Sequence, residues 1–137
     1  MLPRLEHANL TVRNLEASLE FLQAAFPEWQ IRHTGESDRK WAHFGDDAHY
    51  LALEEARDEG ELQSGKYLST GFNHLGFVVS DLEAVSTRLL AAGYLEGKAT
   101  EDHSFRRRRY FYDRDKFEWE FIEYLSKNRE QYNQYPS

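Results

Sequence analysis

The chain has 137 residues, enough for one compact domain that buries a core, and 40% hydrophobic residues with 15% aromatics exclude a disordered chain. Its net charge of -7 argues against nucleic acid or an anionic membrane surface as the main partner. The absence of cysteine excludes disulfides, thiol catalysis and thiolate metal sites, so a metal must be held by oxygen or nitrogen donors such as His, Asp and Glu. No apolar run reaches the roughly 18 residues of a membrane span, and the first residues lack a signal-peptide segment, which predicts a cytoplasmic protein without a membrane partner.

The sequence contains an internal repeat. Residues 5–17 align without a gap to residues 72–84, at an offset of 67 that equals the separation of His7 and His74. Further identities follow at the same offset: Val12/Val79, Leu15/Leu82, Glu16/Glu83, Ala17/Ala84, Leu22/Leu89, Ala24/Ala91 and Ala25/Ala92. A repeat of about half the chain indicates two similar modules in tandem.

The first copy begins with a strand in which Ala8, Leu10 and Val12 alternate with polar residues. A helix follows, with Asn14 or Arg13 near its N-terminus and Pro27 beyond its end. Three shorter strands are predicted at residues 29–34, 40–44 and 49–54.

The second copy repeats this order. Its first strand starts at His74, Asp81 is a good N-cap for the helix, and Gly93 is placed to end that helix. Three strands are predicted at residues 94–98, 107–112 and 118–124. The sequence therefore predicts an α+β fold, two tandem βαβββ modules that form a curved mixed sheet around a cleft.

The expected organisation is a single domain over residues 1–137. Module one covers about 4–55, a polar linker about 56–71, module two about 72–125, and a polar tail about 126–137. The tail is expected to be loosely ordered or docked on a partner surface.

Strand alternation predicts which side chains face the cleft. His7 and His74 lie opposite the apolar faces of their strands, and Glu118 and Glu120 lie opposite Trp119 and Phe121. Two imidazoles and one carboxylate are the ligand set of a divalent metal site with open positions. The competing interpretation is that each His is an ordinary surface or satisfied residue.

These residues resemble the vicinal oxygen chelate superfamily, the glyoxalase, bleomycin-resistance and extradiol-dioxygenase fold of paired βαβββ modules. The resemblance extends from about residue 5 to 125 and is most specific around the two histidines and in the run Y-D-R-D-K-F-E-W-E-F at residues 112–121. That run is similar to the family's D-P-D-G-N-x-x-E-F signature, whose metal-binding Glu falls on Glu120. Arg114, Lys116 and Phe117 replace the usual Pro, Gly and Asn of the turn.

The resemblance implies His7, His74 and Glu120 as ligands of a divalent ion (Fe, Zn, Ni or Mn). The family's fourth position falls on Ala52, which cannot ligate, and Glu54 lies about 6 to 7 Å further along the strand as a possible fourth ligand. A set of three resembles the extradiol dioxygenases more than the glyoxalase I-like enzymes, which usually supply a fourth ligand.

Other candidates are weaker. Four residues are expected to line the pocket: Asn9, Thr11, Tyr50 and Glu118. The other four histidines, at positions 33, 43, 49 and 103, are expected to be exposed rather than catalytic. In the arginine run 106–109, alternate side chains are expected to reach acidic neighbours or enter the cleft, and Tyr110 or Tyr112 to line the pocket.

Two functions remain open at this stage. The first is a metal enzyme, dioxygenase-like or lyase-like, in which the ion acts as a Lewis acid on two vicinal oxygens of a small substrate. The second is a non-catalytic module that binds a small molecule, as antibiotic-resistance members of the superfamily do without metal. The resemblance also implies a homodimer.

Overall fold

The computed structural model describes residues 1–58, 60, 62, 65–101 and 103–135. The chain divides into two compact units, Met1–Gln63 and Ser64–Ser137, and each unit contains one four-stranded mixed sheet and one α-helix. The predicted α+β fold of two tandem βαβββ modules is confirmed. Positions 59, 61, 63 and 64 of the predicted linker and the last two positions of the predicted tail lie outside the described residues.

The two units have the same order of elements. The first contains β1 (His7–Val12), α1 (Leu15–Ala25), β2 (Gln30–Glu36), β3 (Lys40–Gly45) and β4 (Tyr50–Glu55). The second contains β5 (His74–Val78), α2 (Leu82–Ala91), β6 (Leu95–Glu96), β7 (Arg106–Tyr112) and β8 (Glu118–Tyr124), followed by a short 3-10 helix (Arg129–Asn133). The strand orders are β1-β4-β3-β2 and β5-β8-β7-β6, and the first pair in each sheet is parallel.

The helices begin where the sequence predicts. The side chain of Asn14 accepts a hydrogen bond from the backbone N–H of Ala17 at 2.8 Å, and that of Asp81 accepts from Ala84 at 3.0 Å. Each cap satisfies one of the N–H groups that a helix N-terminus leaves without a partner.

A second capping contact extends the repeat to the end of each module. The backbone N–H of Leu15 donates to Glu55 at 2.9 Å, and that of Leu82 donates to Glu123 at 3.3 Å. A carboxylate at the end of the last strand therefore ties the helix N-terminus to the sheet in both units, where it also interacts favourably with the helix dipole.

One face of each sheet packs against the helix of its own unit. The core of the first unit includes Phe21, Leu22, Phe44 and Leu53, and that of the second includes Leu89, Phe111, Trp119 and Phe121. The predicted aromatic face of the last strand is confirmed, because Trp119 is 2% exposed and Phe121 is fully buried. The other face of each sheet, here called the open face, carries the predicted histidines.

The turn before β8 is closed although its sequence departs from the signature that it resembles. Lys116, at the position of the signature's glycine, has a φ of 61°, a left-handed conformation that glycine adopts readily. The carboxylate of Asp113 accepts hydrogen bonds from the backbone N–H of Asp115 at 2.9 Å and of Phe117 at 3.0 Å. These bonds hold the turn closed although Pro, Gly and Asn are replaced.

The tail packs on its own unit. Arg106 donates to the backbone carbonyls of Tyr132 at 3.2 Å and Gln134 at 3.0 Å, and Tyr124 stacks on Tyr132 with 3.8 Å between ring centroids. The described part of the tail is therefore docked at one end of β7 and β8. No helix among the described residues is long and apolar enough to cross a membrane.

Candidate functional site

The open face of the second unit brings three predicted site residues together. The register of β5 on β8 pairs His74 with Glu118 and Gly76 with Glu120. His74 Nε2 lies 2.9 Å from Glu120 Oε2, and His74 Nδ1 lies 3.4 Å from Glu118 Oε1. Glu118 and Glu120 are 4% and 8% exposed, whereas about a quarter of the His74 side chain is exposed. The imidazole thus contacts a buried carboxylate at each of its two nitrogens, and part of the ring is exposed to solvent.

Two cations accompany the buried carboxylates. Arg108 Nη1 lies 3.7 Å from Glu120 Oε1, and Lys98 Nζ lies 3.9 Å from Glu118 Oε1. A buried carboxylate needs such compensation because it loses its hydration.

Three tyrosines complete the cluster. Tyr67 donates its hydroxyl hydrogen to Glu118, and its oxygen lies 3.0 Å from His74 Nδ1. Tyr112 donates to Glu118 at 3.4 Å, and the ring of Tyr110 meets His74 edge-on with 5.4 Å between centroids. Burial, the largest effect, raises the pKa of all three hydroxyls, and the adjacent carboxylates raise it further. The tyrosines therefore remain neutral hydrogen-bond donors at physiological pH.

The four arginines of the run 106–109 separate by strand parity. Arg107 pairs with Glu123, and Arg109 lies 3.4 Å from Glu83, on the helix side of the sheet. Arg108 enters the open face beside Glu120, whereas Arg106 holds the tail. The expectation that one alternate pair reaches acidic neighbours is confirmed for Arg107 and Arg109.

His7 lies on the open face of the first unit among aromatic rings. Its Nδ1 is 3.0 Å from Glu6, and its ring stacks on Tyr50 at 4.8 Å. His43 contacts the same Tyr50 ring at 4.8 Å. His43 was expected to be exposed, but it is partly buried in β3, and burial, with the nearby charge of Arg32, lowers its pKa.

A β-bulge adds a cation to this aromatic surface. The register between β2 and β3 shifts between Ile31 and His33, so that Arg32 is an extra residue. Its guanidinium lies over the Tyr50 ring, 4.4 Å from the centroid. The open face of the first unit therefore combines histidine, tyrosine and arginine side chains.

A cavity of about 250 Å³ opens beside these rings within the first unit. Its lining includes the expected pocket residue Asn9 and the possible fourth ligand Glu54, together with Asp38, Arg39, Trp41 and His43. Thr11 is the β1 partner of Glu54. The cavity therefore has an aromatic wall with an amide, two carboxylates and a guanidinium.

The registers place Ala52 and Glu54 as strand parity predicts. Ala52 pairs with Asn9 as Glu120 pairs with Gly76 in the second unit, so Ala52 is the equivalent of Glu120. Glu54 lies four residues beyond Tyr50, the partner of His7, or about 13 Å along the strand.

The residues of the second unit fit a divalent ion. Two donor atoms that each lie about 2.1 Å from an ion, at right angles to one another, are about 3 Å apart, close to the 2.9 Å between His74 Nε2 and Glu120 Oε2. Nitrogen and carboxylate oxygen are suitable donors for Zn, Mn, Ni or Fe. Within either unit, the described residues form no group of three His, Asp or Glu side chains that could by itself hold a metal.

Several residues of the site are outside the sequence prediction. Tyr67 lies in the segment expected to be a linker, and Lys98 was not singled out, whereas Arg108 was expected only as a member of one of two alternate pairs. Strand parity relates Arg108, Tyr110 and Tyr112, so fixing one of them on the face of Glu120 would have identified the others. No comparable signal marks Tyr67.

The chain matches the family model of the Glyoxalase/Bleomycin resistance protein/Dioxygenase superfamily over residues 4–121. It belongs to this superfamily. Among curated proteins, none matches this sequence.

Solved structures have the same fold. A glyoxylase/bleomycin resistance protein/dioxygenase domain from Frankia sp. EAN1pec is 23% identical with a TM-score of 0.76, and the match covers 98% of this chain and 100% of that one. The fosfomycin resistance protein FosX from Listeria monocytogenes, in complex with Mn(II) and sulfate, is 20% identical with a TM-score of 0.70 and the same coverage. A FosX variant in complex with Mn(II) and 1S,2S-dihydroxypropylphosphonic acid is 22% identical with a TM-score of 0.72.

Proposed function

We propose that the protein is a divalent-metal-dependent enzyme that acts on a small oxygenated molecule, with His7, His74 and Glu120 as metal ligands. The observation that carries the proposal is the pair formed by His74 and Glu120, whose donor atoms are 2.9 Å apart on the open face. Superfamily membership and the Mn(II) bound in FosX structures of the same fold support a divalent ion, of which Fe, Zn, Ni and Mn are candidates.

A bound ion supplies Lewis acidity to two vicinal oxygens of the substrate. The residues of this chain around the proposed ion supply charge and hydrogen bonds. Arg108 and Lys98 bring positive charge beside the two carboxylates, and the hydroxyls of Tyr67 and Tyr112 donate to Glu118. We propose dioxygenase-like or lyase-like chemistry with three protein ligands, Glu54 being the candidate for a fourth.

The substrate pocket is proposed to include the expected residues of the first unit. Asn9 and Glu54 line the cavity there, Thr11 lies next to Glu54 in the sheet, and Tyr50 stacks on His7. We propose Glu118 as a further residue of the site, because it contacts His74.

A second candidate is a non-catalytic module that binds a small molecule without metal. It is favoured by the cavity of the first unit, whose wall contains the rings of Trp41 and His43. Aromatic walls with a few polar groups are typical of small-molecule sites.

Metal analysis of protein purified without added metal separates the two candidates. We expect about one divalent ion per chain in the wild type, and its loss in the double variant His7→Ala/His74→Ala, because two imidazole ligands are removed. Equal, substoichiometric metal in both proteins would contradict the enzyme proposal and leave the binding module.

We propose further that the protein is cytoplasmic and that it is a homodimer, the second of which the resemblance to the superfamily implies. Sedimentation at twice the chain mass of 16.2 kDa is the expected result, and sedimentation at the chain mass would contradict it.

A further inference from the structure

Glu118 is a buried carboxylate outside the proposed ligand set. It lies on β8 two residues before Glu120 and is 4% exposed. The equivalent position of the first unit, opposite His7, is Tyr50. The second unit thus has a carboxylate paired with its histidine where the first unit has an aromatic ring. This difference indicates a specific role for Glu118.

The turn before β5 places the hydroxyl of Tyr67 next to Glu118 and His74. The backbone N–H groups of Leu68 and Ser69 donate to the carbonyl of Gly65 at 3.0 and 2.8 Å, and the side chain of Asn73 accepts from Tyr67 N–H at 2.7 Å. Tyr67 itself has a φ of 65°, an unusual conformation for a bulky residue. Such strain persists only where the surroundings fix it, and it concentrates at functional sites.

The contacts of the Tyr67 hydroxyl determine the direction of its hydrogen bonds. A hydroxyl has one hydrogen to donate and two lone pairs to accept with. The Glu118 carboxylate can only accept, so it takes the hydroxyl hydrogen, and the Lys98 ammonium, 3.1 Å away, can only donate. The remaining lone pair faces His74 Nδ1 at 3.0 Å, so that Nδ1 carries a hydrogen.

We propose that Tyr67 and Glu118 are positioning residues that hold the His74 ring through a hydrogen bond from Nδ1–H, so that Nε2 is the nitrogen that faces Glu120 and the proposed metal. The proposal deepens the proposed function and rests on it for the role of Nε2. A histidine that binds a metal through one nitrogen usually donates from the other to an oxygen, which fixes the ring and its tautomer. Here the oxygen is that of Tyr67, and Glu118 orients it.

The other side of the ring faces the proposed metal position. Nε2 lies 2.9 Å from Glu120 Oε2, so the two atoms that would bind the ion are held next to each other. The hydrogen bond at Nδ1 therefore directs Nε2 toward Glu120.

The test uses the full chain with two readouts, and Tyr67→Phe is the main variant. The first readout is the 15N shifts of the His74 ring in metal-free protein, and the second is the Kd for Mn2+. We expect a hydrogen on Nδ1 of the wild type that is bonded to Tyr67, and loss of that hydrogen-bonded signal with a 10- to 100-fold weaker Kd in Tyr67→Phe. Tyr124→Phe, which removes a hydroxyl from β8 away from His74, is the matched control and should change neither readout.

A double variant tests whether Glu118 acts on His74 through Tyr67. If Glu118 acts through Tyr67, then Tyr67→Phe/Glu118→Gln should bind Mn2+ no more weakly than Tyr67→Phe alone. Additive losses would contradict that coupling. Circular dichroism confirms that each variant is folded.

Two results would overturn the positioning role. One is a wild-type His74 whose Nδ1 carries no hydrogen, and the other is a Tyr67→Phe variant with an unchanged Nδ1–H signal and Kd. A wild type that binds no Mn2+, Fe, Zn or Ni contradicts the proposed function, while the ring shifts of metal-free protein still decide the positioning role.

Discussion

Replacing Glu120 with alanine is expected to weaken Mn2+ binding at least 100-fold, a loss of about 2.7 kcal/mol of binding free energy. Glu120 is the proposed anionic ligand, and its carboxylate is buried with His74 on one side and Arg108 on the other. Its removal takes away the charge that neutralises the ion and leaves the guanidinium of Arg108 beside the histidine, where it repels a cation. Titration of metal-free protein with Mn2+ measures the change.

Glu83→Ala is the matched control for Glu120→Ala. Glu83 lies on α2 with about two thirds of its side chain exposed and pairs with Arg109 on the helix side of the sheet. Its removal changes the net charge by the same amount and should leave the Kd within about twofold. Similar losses in both variants would show that net charge rather than ligation governs Mn2+ binding.

The stability of the protein is expected to depend on pH through Asp113. Burial raises the pKa of Asp113 from its ordinary 3.8 to about 6, although the N–H groups of Trp119, Phe117 and Asp115 donate hydrogen bonds that lower it. Because the pKa is higher in the folded state, protonation stabilises the fold. This contribution is complete below about pH 3.8 and is lost as the pH rises through about 6. The shift corresponds to roughly 3 kcal/mol at 1.36 kcal/mol per pKa unit.

Urea unfolding of the wild type and Asp113→Asn between pH 4 and 7.5 measures this contribution. The free energy of unfolding of the wild type, relative to the variant, should fall by about 2.4 kcal/mol over that range, because the contribution is complete only below about pH 3.8. Asp46→Asn is a control of opposite sign when the series is extended to pH 2. Hydrogen bonds from the N–H groups of His49 and Ala48 lower the Asp46 pKa, so its contribution is present above about pH 3.8 and is lost on acidification. Parallel profiles for the wild type and Asp113→Asn would contradict the raised pKa.

The module architecture could be predicted because local patterns carry it. The repeat, the caps Asn14 and Asp81 and the strand alternation are readable over a few residues. Strand alternation also gave the equivalence of Ala52 and Glu120, because Leu51 and Leu53 were matched to Trp119 and Phe121 as the residues that face the helix.

Local patterns were less informative where a strand is short. The strand predicted at 94–98 has only two paired residues, Leu95 and Glu96. Gly97 adds one further hydrogen bond to the carbonyl of Tyr110, at 2.6 Å. A strand this short has no alternation from which the side of Lys98 could be read.

The surroundings of His74 could not be predicted because they depend on contacts distant in sequence. Tyr67 reaches Glu118 across 51 residues, and its position is set by a turn built on the left-handed backbone of Gly65 and Tyr67 itself. Similarly, a bulge in β2 that no sequence pattern marked places Arg32 over Tyr50. Such positions follow from register and turn geometry rather than from composition.

The central claim is that His7, His74 and Glu120 bind one divalent ion. A crystal structure of the protein grown with Mn2+, with the ion located by its anomalous scattering, tests it most directly. The account predicts a single strong anomalous peak bonded to the imidazoles of His7 and His74 and to the carboxylate of Glu120. A peak bonded to other residues, or no peak at saturating Mn2+, would contradict it.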